Sequence, residues 1–117
     1  MAILVCAPQR TKEFAALAKS FPKISRVVAG GAERSASVLN GLLALATNPP
    51  DFVAVHDAAR PLATPALFTE ILAAADKHRA ASAAHPVADS LHRANADGLL
   101  HETLSRQNLF AMETPQA

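Results

Sequence analysis

"FVAVHDAARP", residues 52–61, runs from four apolar residues directly into a histidine, an aspartate and an arginine. A short apolar run is typical of a buried strand, and here the polar residues follow at the strand's carboxyl end. In open parallel sheets, ligands bind in the crevice beyond those carboxyl ends. The stretch therefore predicts a sheet strand that delivers His56, Asp57 and Arg60 to a ligand site.

Apolar runs and amphipathic helices alternate on both sides of this stretch. The patterns predict strands at 2–7, 26–29, 52–55 and 81–84, and helices after Thr11, over 35–46 and from Pro65, with Thr64 as N-cap. Uninterrupted apolar strands indicate parallel pairing with both faces covered. We therefore predict an α/β fold, a Rossmann-like layered and mostly parallel sheet with helices on both faces.

The pattern changes over residues 87–107, where two short mixed runs at 90–93 and 99–104 flank the sequence ANADG. Asp97 and Gly98 favour a hairpin turn there. The two runs are too polar for a central layer, so we expect a projecting β-arm that packs on a second copy of the chain. The expected organisation is one domain over 1–117, with 87–107 as a dimerisation arm of a homodimer.

Composition narrows the class of protein. Half of the 117 residues are apolar, and 11 basic residues against 10 acidic ones leave a net charge of +1 without a basic block, so no nucleic-acid partner is expected. The single cysteine, Cys6, excludes an internal disulfide and fits a reducing cytoplasm. Because no apolar stretch approaches the roughly 20 residues that span a bilayer, no membrane partner is expected and the predicted location is cytoplasmic.

Asp57 and Arg60 are the strongest candidates for chemistry. Mg²⁺ prefers one or two carboxylates with phosphate oxygens and water, so Asp57 could hold it. The small residues Ala58 and Ala59 leave room for a ligand, and the Arg60 guanidinium could bind a phosphate through two N–H groups. The alternative is structural, with Asp57 capping a turn and pairing with Arg60, and the spacing alone leaves both open.

A second candidate site follows the strand at 26–29. Gly30 and Gly31 allow a close approach of the backbone to a ligand, and Ser35 or Ser37 lies where a helix begins with unpaired amides. An ordinary turn with a serine cap is the alternative. The chain contains no phosphate-binding loop pattern, and its five histidines lack metal-ligand spacing, so most of them are interpreted as surface or turn residues.

Four motifs carry a resemblance to a known family. In chain order they are GGAERSASVLNGL at 30–42, VHDAARP at 55–61, PVADSLHR at 86–93 and SRQNLFAMETPQA at 105–117. They resemble 2-C-methyl-D-erythritol 4-phosphate cytidylyltransferases of non-mevalonate isoprenoid biosynthesis. Related pentitol-phosphate cytidylyltransferases look similar but tend to carry serine and valine at the positions of Ala58 and Ala59, which favours the methylerythritol family.

The resemblance implies transfer of a cytidylyl group from CTP to a sugar-alcohol phosphate, with Mg²⁺ as cofactor. It implies that Asp57 is catalytic and binds the metal, and that the arm of one subunit reaches the partner's active site, as family members do. The remaining implied roles are nucleotide binding by Gly30, Gly31, Ser37, Asp57 and Ala58, substrate binding by Arg60, Asp89 and Ser90, and both substrate binding and catalysis by Arg106. Ala32 departs from the aspartate that the family usually has after the two glycines.

The resemblance also concerns segments outside this sequence. The family begins with a glycine-rich loop and a Pro-Lys-Gln segment, and it continues beyond the equivalent of Ala117 to a late lysine. We therefore expect these 117 residues to form a partial nucleotidyltransferase domain that is inactive by itself. Two alternatives remain, a non-catalytic module that binds nucleotide or dimerises, and a purely structural fragment with exposed sheet edges.

Overall fold

Helices and strands alternate along the first half of the chain, and strands dominate the second half. The computed structural model describes all residues from 1 to 117. Residues Met1–Asp51 form one compact unit and residues Phe52–Ala117 another. The elements are β1 (Ala2–Cys6), α1 (Thr11–Ala18), β2 (Ile24–Ala29), α2 (Arg34–Leu43), α3 (Pro65–His78), β3 (Ser82–Pro86), β4 (Leu91–Ala94), β5 (Leu100–Leu104) and β6 (Phe110–Gln116).

The first unit contains a parallel pair of strands. β1 and β2 run side by side, with Val5 opposite Val28, and the amide of Gly30 extends the ladder by donating to the carbonyl of Cys6 at 2.7 Å. Helix α1 contacts β2, and α2 contacts both strands. The predicted strand, helix, strand, helix order is confirmed here, including the parallel direction that the apolar runs indicate.

The helix boundaries in this unit differ slightly from the prediction. Thr11 is the first residue of α1 rather than its cap, because its hydroxyl donates backwards to the carbonyl of Pro8 at 3.0 Å, within a 3-10 turn. On this exposed end of α1, a hydrogen bond from Arg10 lowers the pKa of Glu13. Helix α2 begins one residue early and ends at Leu43, since residues 44–47 continue as turns.

In the second unit, α3 begins as predicted. Thr64 is the N-cap, its hydroxyl accepts a hydrogen bond from the amide of Leu67 at 3.3 Å, and Pro65 occupies the first turn. Ile71 and Ala75 are the buried apolar residues, with 8% and 1% of their surface exposed. Because α3 contacts β6, this buried stripe supports the strand that carries Thr114.

The strands of the second unit pair in antiparallel fashion. The predicted strand at 52–55 is reduced to a single antiparallel bridge between Val55 and Gln116. β3 also pairs antiparallel, with β6, a strand that the sequence analysis did not predict. An apolar run favours burial on both faces but does not by itself fix the direction of the partner strand, and Pro115 obscured β6 because proline is disfavoured within strands.

β6 is irregular where it passes β3. Ser82 pairs with Gln116 and Ala84 with Met112, so the three residues between the two β6 positions lie opposite one β3 residue. These three residues are Glu113, Thr114 and Pro115, which we call the β6 bulge. Thr114 and Pro115 are buried. Bulges of this kind redirect side chains away from the regular alternation of a strand.

The hairpin predicted around residues 94–98 is present. β4 and β5 pair antiparallel, with Arg93 opposite Glu102, and the two side chains form an ion pair at 2.8 Å. Asn95 closes the turn by accepting hydrogen bonds from two backbone amides, and Gly98 has a φ of 80°, which favours glycine. The use of this hairpin as a dimerisation arm stays a prediction.

None of the helices has both the length and the apolar character needed to cross a membrane.

The order of helices and strands establishes the predicted α/β character of the fold. The layered, mostly parallel sheet that was expected over the whole of 1–117 stays a prediction.

Candidate active site

The polar residues after Val55 form a tight turn whose backbone is held at several points. The amide of Arg60 donates to the carbonyl of Asp57 at 3.0 Å and closes the turn. The amide of Asp57 donates to the hydroxyl of Thr114 at 3.1 Å, and Nε2 of His56 lies 3.1 Å from the carbonyl oxygen of Arg60. This closed backbone fixes where the Asp57 and Arg60 side chains leave the chain.

His56 belongs to the framework of this turn. A backbone carbonyl only accepts hydrogen bonds, so Nε2 donates to Arg60, which leaves Nδ1 buried without a hydrogen-bond partner. The imidazole also packs edge-on against Phe68, with 5.1 Å between the ring centroids. His56 is thus a half-buried turn residue with a contact at Nε2 and another at its ring face or edge.

The Arg60 guanidinium forms an ion pair with Glu113. Nη1 of Arg60 lies 3.1 Å from Oε1 of Glu113 in the β6 bulge. The sequence did not predict this contact of Arg60 with Glu113. Ala58 and Ala59 are both exposed, so the surface beside the half-buried Asp57 is open to a ligand.

The side chains around Asp57 are compatible with a Mg²⁺ ion that takes most of its ligands from outside the protein. No group of three or more histidine, cysteine, aspartate or glutamate side chains is arranged to hold a metal ion by itself. A single carboxylate ligand from the protein suits an ion that takes its other ligands from water and from substrate phosphates, as Mg²⁺ does. Magnesium binding by Asp57 stays a prediction.

The predicted substrate residues outside the turn also lie near one another. Nη1 of Arg106 donates to the carbonyl of Ala88, so the guanidinium is held at the residue that precedes Asp89 and Ser90. Asp89, Ser90 and Arg106 are all exposed. The structure thus brings Arg106 of one motif to the backbone beside Asp89 and Ser90 of another.

The glycine pair of the first unit is packed tightly against helix α2. A Cβ on Gly30 would lie 2.8 Å from the hydroxyl of Ser37, and one on Gly31 would lie 2.4 Å from Cβ of Ala36. The hydroxyl of Ser37 donates to the carbonyl of Glu33 and accepts from the amide of Gly31, both at 3.1 Å. These contacts give Gly30, Gly31 and Ser37 a structural task, whatever ligand they bind, and Ala32 is exposed beside them.

Replacing Gly31 tests this packing. We expect Gly31→Ala to lower the free energy of unfolding by about 1–3 kcal/mol, because neither the short Ala36 side chain nor the helix backbone can withdraw. Urea unfolding followed by circular dichroism measures the effect. In a protein that already carries Ala36→Gly, the opposing methyl group is absent. Adding Gly31→Ala to that variant should therefore lower the free energy of unfolding by less than it does in the wild type. Unchanged stability of Gly31→Ala would show that the contact is not tight.

The residues that hold the turn, Thr114 and Glu113, were not predicted from the sequence. Thr114 and Glu113 stand in the motif at 105–117, but that motif was used only to assign a role to Arg106. The available signal was a polar pair placed directly before Pro115 and within an otherwise apolar run. Predicting its partner required knowing that β6 passes the turn, which no local pattern reveals.

Solved structures with the same fold define the class of protein. A crystal structure of 4-diphosphocytidyl-2C-methyl-D-erythritol synthase aligns with a TM-score of 0.79 and 31% identity, over 97% of this chain and 55% of that chain. The synthase from Anaerococcus prevotii aligns with a TM-score of 0.79 and 28% identity, over 97% of this chain and 52% of that one. The chain therefore has the α/β fold of these synthases.

The particular family follows from the sequence comparison. The family model described as 2-C-methyl-D-erythritol 4-phosphate cytidylyltransferase (IspD) matches residues 1–117, and the chain belongs to this family. The Pelotomaculum thermopropionicum enzyme of that name is 47% identical over 97 residues, which are 81% of this chain and 40% of the relative. The bifunctional enzyme IspD/IspF of Nitrobacter winogradskyi is 49% identical over 88 residues, 75% of this chain and 22% of its own length. The chain thus spans less than half the length of these relatives.

Proposed function

We propose that these 117 residues are part of a cytoplasmic enzyme of isoprenoid biosynthesis, which transfers the cytidylyl group of CTP to 2-C-methyl-D-erythritol 4-phosphate and releases pyrophosphate. The observation that carries the proposal is the Asp57–Arg60 turn, in which a carboxylate and a guanidinium leave a backbone held by His56 and Thr114. Membership of the cytidylyltransferase family supports the choice of substrates.

Asp57 is the proposed ligand for Mg²⁺. When bound, the ion would neutralise phosphate charge on CTP and on the attacking phosphate. Asp57 would hold it through a carboxylate whose backbone amide is anchored to Thr114 at 3.1 Å. A fixed carboxylate suits this task because phosphoryl-transfer enzymes act mainly by positioning and by electrostatic stabilisation.

Two arginine side chains of the second unit, Arg60 and Arg106, are proposed to bind the phosphate group of 2-C-methyl-D-erythritol 4-phosphate. Arg60 and Arg106 each offer guanidinium N–H groups, which match phosphate oxygens in geometry and charge. Asp89 and Ser90 would bind the polyol hydroxyls beside Arg106, and Arg106 would also stabilise charge on the reacting phosphate. A phosphate oxygen of the substrate forms a bond to the α-phosphorus of CTP, and the bond from that phosphorus to the pyrophosphate oxygen breaks.

The nucleotide is proposed to bind through small residues. Gly30 and Gly31 would present backbone groups to the cytosine end, with Ser37 supporting them through its bond to the Gly31 amide. Ala58 is exposed directly after Asp57 and would line the nucleotide site. Small side chains at these positions allow backbone and ligand to approach closely.

An assay of pyrophosphate release tests the proposed function. The protein expressed from its natural reading frame is incubated with CTP, 2-C-methyl-D-erythritol 4-phosphate and Mg²⁺. We expect release that depends on all three and a cytidylylated product. Binding of CTP in calorimetry without any pyrophosphate release would instead favour a non-catalytic nucleotide-binding module. Preference for a pentitol phosphate lacking the methyl group would indicate the related cytidylyltransferases.

A subunit-mixing experiment tests the proposed homodimer. If the hairpin of residues 87–107 carries Arg106 into the partner's active site, then Asp57→Asn and Arg106→Ala inactivate different halves of one composite site. Random exchange between equal amounts of the two inactive variants makes half of the dimers mixed, each with one intact site. We expect recovery of about a quarter of the wild-type kcat. No recovery despite demonstrated exchange would contradict an active site shared between subunits.

A further inference from the structure

The carboxylate of Glu113 makes two contacts through one oxygen. Oε1 lies 3.1 Å from Nη1 of Arg60 and 3.1 Å from Nδ1 of His85. The Glu113 side chain is 35% exposed and that of Arg60 is 42% exposed, so both lie at the surface with part of each covered. The carboxylate is therefore held on one side by the imidazole while it binds the guanidinium on the other.

The backbone of Glu113 is also fixed. Its carbonyl accepts a hydrogen bond from the hydroxyl of Ser82 at 3.2 Å and another from the side-chain amide of Gln116 at 2.9 Å. The residue belongs to the β6 bulge, and the two bulge residues after it are buried. A bulge is a known means of redirecting a side chain, and here it directs Glu113 to the Asp57–Arg60 turn.

Neighbouring residues of the bulge therefore hold both ends of the turn. At the first end of the turn, the hydroxyl of Thr114 accepts a hydrogen bond from the amide of Asp57. At the last end of the turn, the carboxylate of Glu113 pairs with the guanidinium of Arg60. The ion pair uses Nη1 of Arg60, one of three guanidinium nitrogens that together offer five N–H donors. The other donors are not required by Glu113, and a phosphate could use them.

We propose that Glu113 is a positioning residue that holds the Arg60 guanidinium ready to bind the substrate phosphate. The inference rests on the proposed function, since Arg60 is the proposed phosphate contact. An arginine side chain loses considerable rotamer freedom when it binds a ligand, and a side chain already held in place loses less on binding. Glu113 would thus favour substrate binding although its own charge is negative.

Kinetics of Glu113 variants measure this positioning. We expect Glu113→Ala to raise the KM for 2-C-methyl-D-erythritol 4-phosphate about 2- to 10-fold, the range for ordering one such side chain, with the KM for CTP and kcat nearly unchanged. Glu113→Gln keeps an acceptor oxygen and should restore part of the loss. Glu13→Ala is the matched control, because Glu13 pairs with Arg10 in an exposed contact on α1. An unchanged or lowered KM in Glu113→Ala would overturn the proposal.

A double variant distinguishes positioning from an independent effect. If Glu113 acts through Arg60, adding Glu113→Ala to Arg60→Ala should raise the KM for the phosphate substrate no further. An additional increase of the same size as in the single variant would mean that Glu113 does not act through Arg60.

A second readout separates this inference from the proposed function. Nuclear spin relaxation of the Arg60 Nε–Hε group is measured without any substrate. We expect a clearly higher order parameter in the wild-type protein than in Glu113→Ala, where the value should fall below about 0.6, as in flexible groups. If the wild type shows this order but no turnover, the proposed function fails while the role of Glu113 stands. If Arg60 is equally mobile in both proteins, the positioning role fails whatever the turnover.

Discussion

Asp57→Asn should lower kcat for cytidylyl transfer by at least about 100-fold, which is the largest effect on activity that we expect from one substitution. Asparagine has nearly the same size as aspartate, and the backbone bonds of the turn do not involve the replaced atom. The variant therefore removes the charge that would hold Mg²⁺ and keeps the backbone hydrogen bonds of the turn.

The assay follows initial rates over a range of Mg²⁺ concentrations. Weakened but retained metal binding should shift the Mg²⁺ dependence to higher concentrations. Asp76→Asn is the control, since Asp76 is exposed near the end of α3. Wild-type rates in Asp57→Asn at every Mg²⁺ concentration would exclude the proposed metal role.

The largest effect on stability is expected for Ile71→Ala. Ile71 is 8% exposed and is one of the few buried apolar residues, so its truncation removes buried surface and leaves a cavity. Comparable isoleucine truncations cost about 2–5 kcal/mol of unfolding free energy. Because α3 supports β6, the variant should also weaken the contacts of Thr114 and Glu113 with the turn, and activity should fall with stability.

Denaturant unfolding of Ile71→Ala is followed by circular dichroism, since the chain has no tryptophan or tyrosine to report by fluorescence. Leu62→Ala is the matched control, because Leu62 is 90% exposed in the same unit and its truncation should change stability by no more than about 0.5 kcal/mol. Equal stability of the two variants would show that Ile71 is not part of the core.

Local chemistry explains which elements could be predicted from the sequence. Thr64 and Pro65 predict the start of α3 because a capping hydroxyl and a fixed φ act within a few residues. Gly98 predicts its turn because glycine readily adopts the positive φ that the turn requires. The position of Asp57 and Arg60 after an apolar run likewise follows from neighbouring residues. These features require no knowledge of the rest of the chain.

Pairing between distant segments explains what could not be predicted. Val55 bridges to Gln116 and Arg60 pairs with Glu113, and in each case the partner comes from the other end of the second unit. A local pattern shows that a residue is apolar or charged but does not name its partner. The likeness to the family supplied candidate roles for Arg60 and Arg106, and it left the support of the turn unseen.

The β6 bulge has a consequence for selection on this protein. Three residues opposite one leave ladder hydrogen bonds unmade, so deletions that straighten β6 would lengthen the regular sheet. The same deletions would withdraw Glu113 and Thr114 from the Asp57–Arg60 turn. The bulge therefore marks a place where regular strand pairing and the support of the turn are opposing demands on the same three residues.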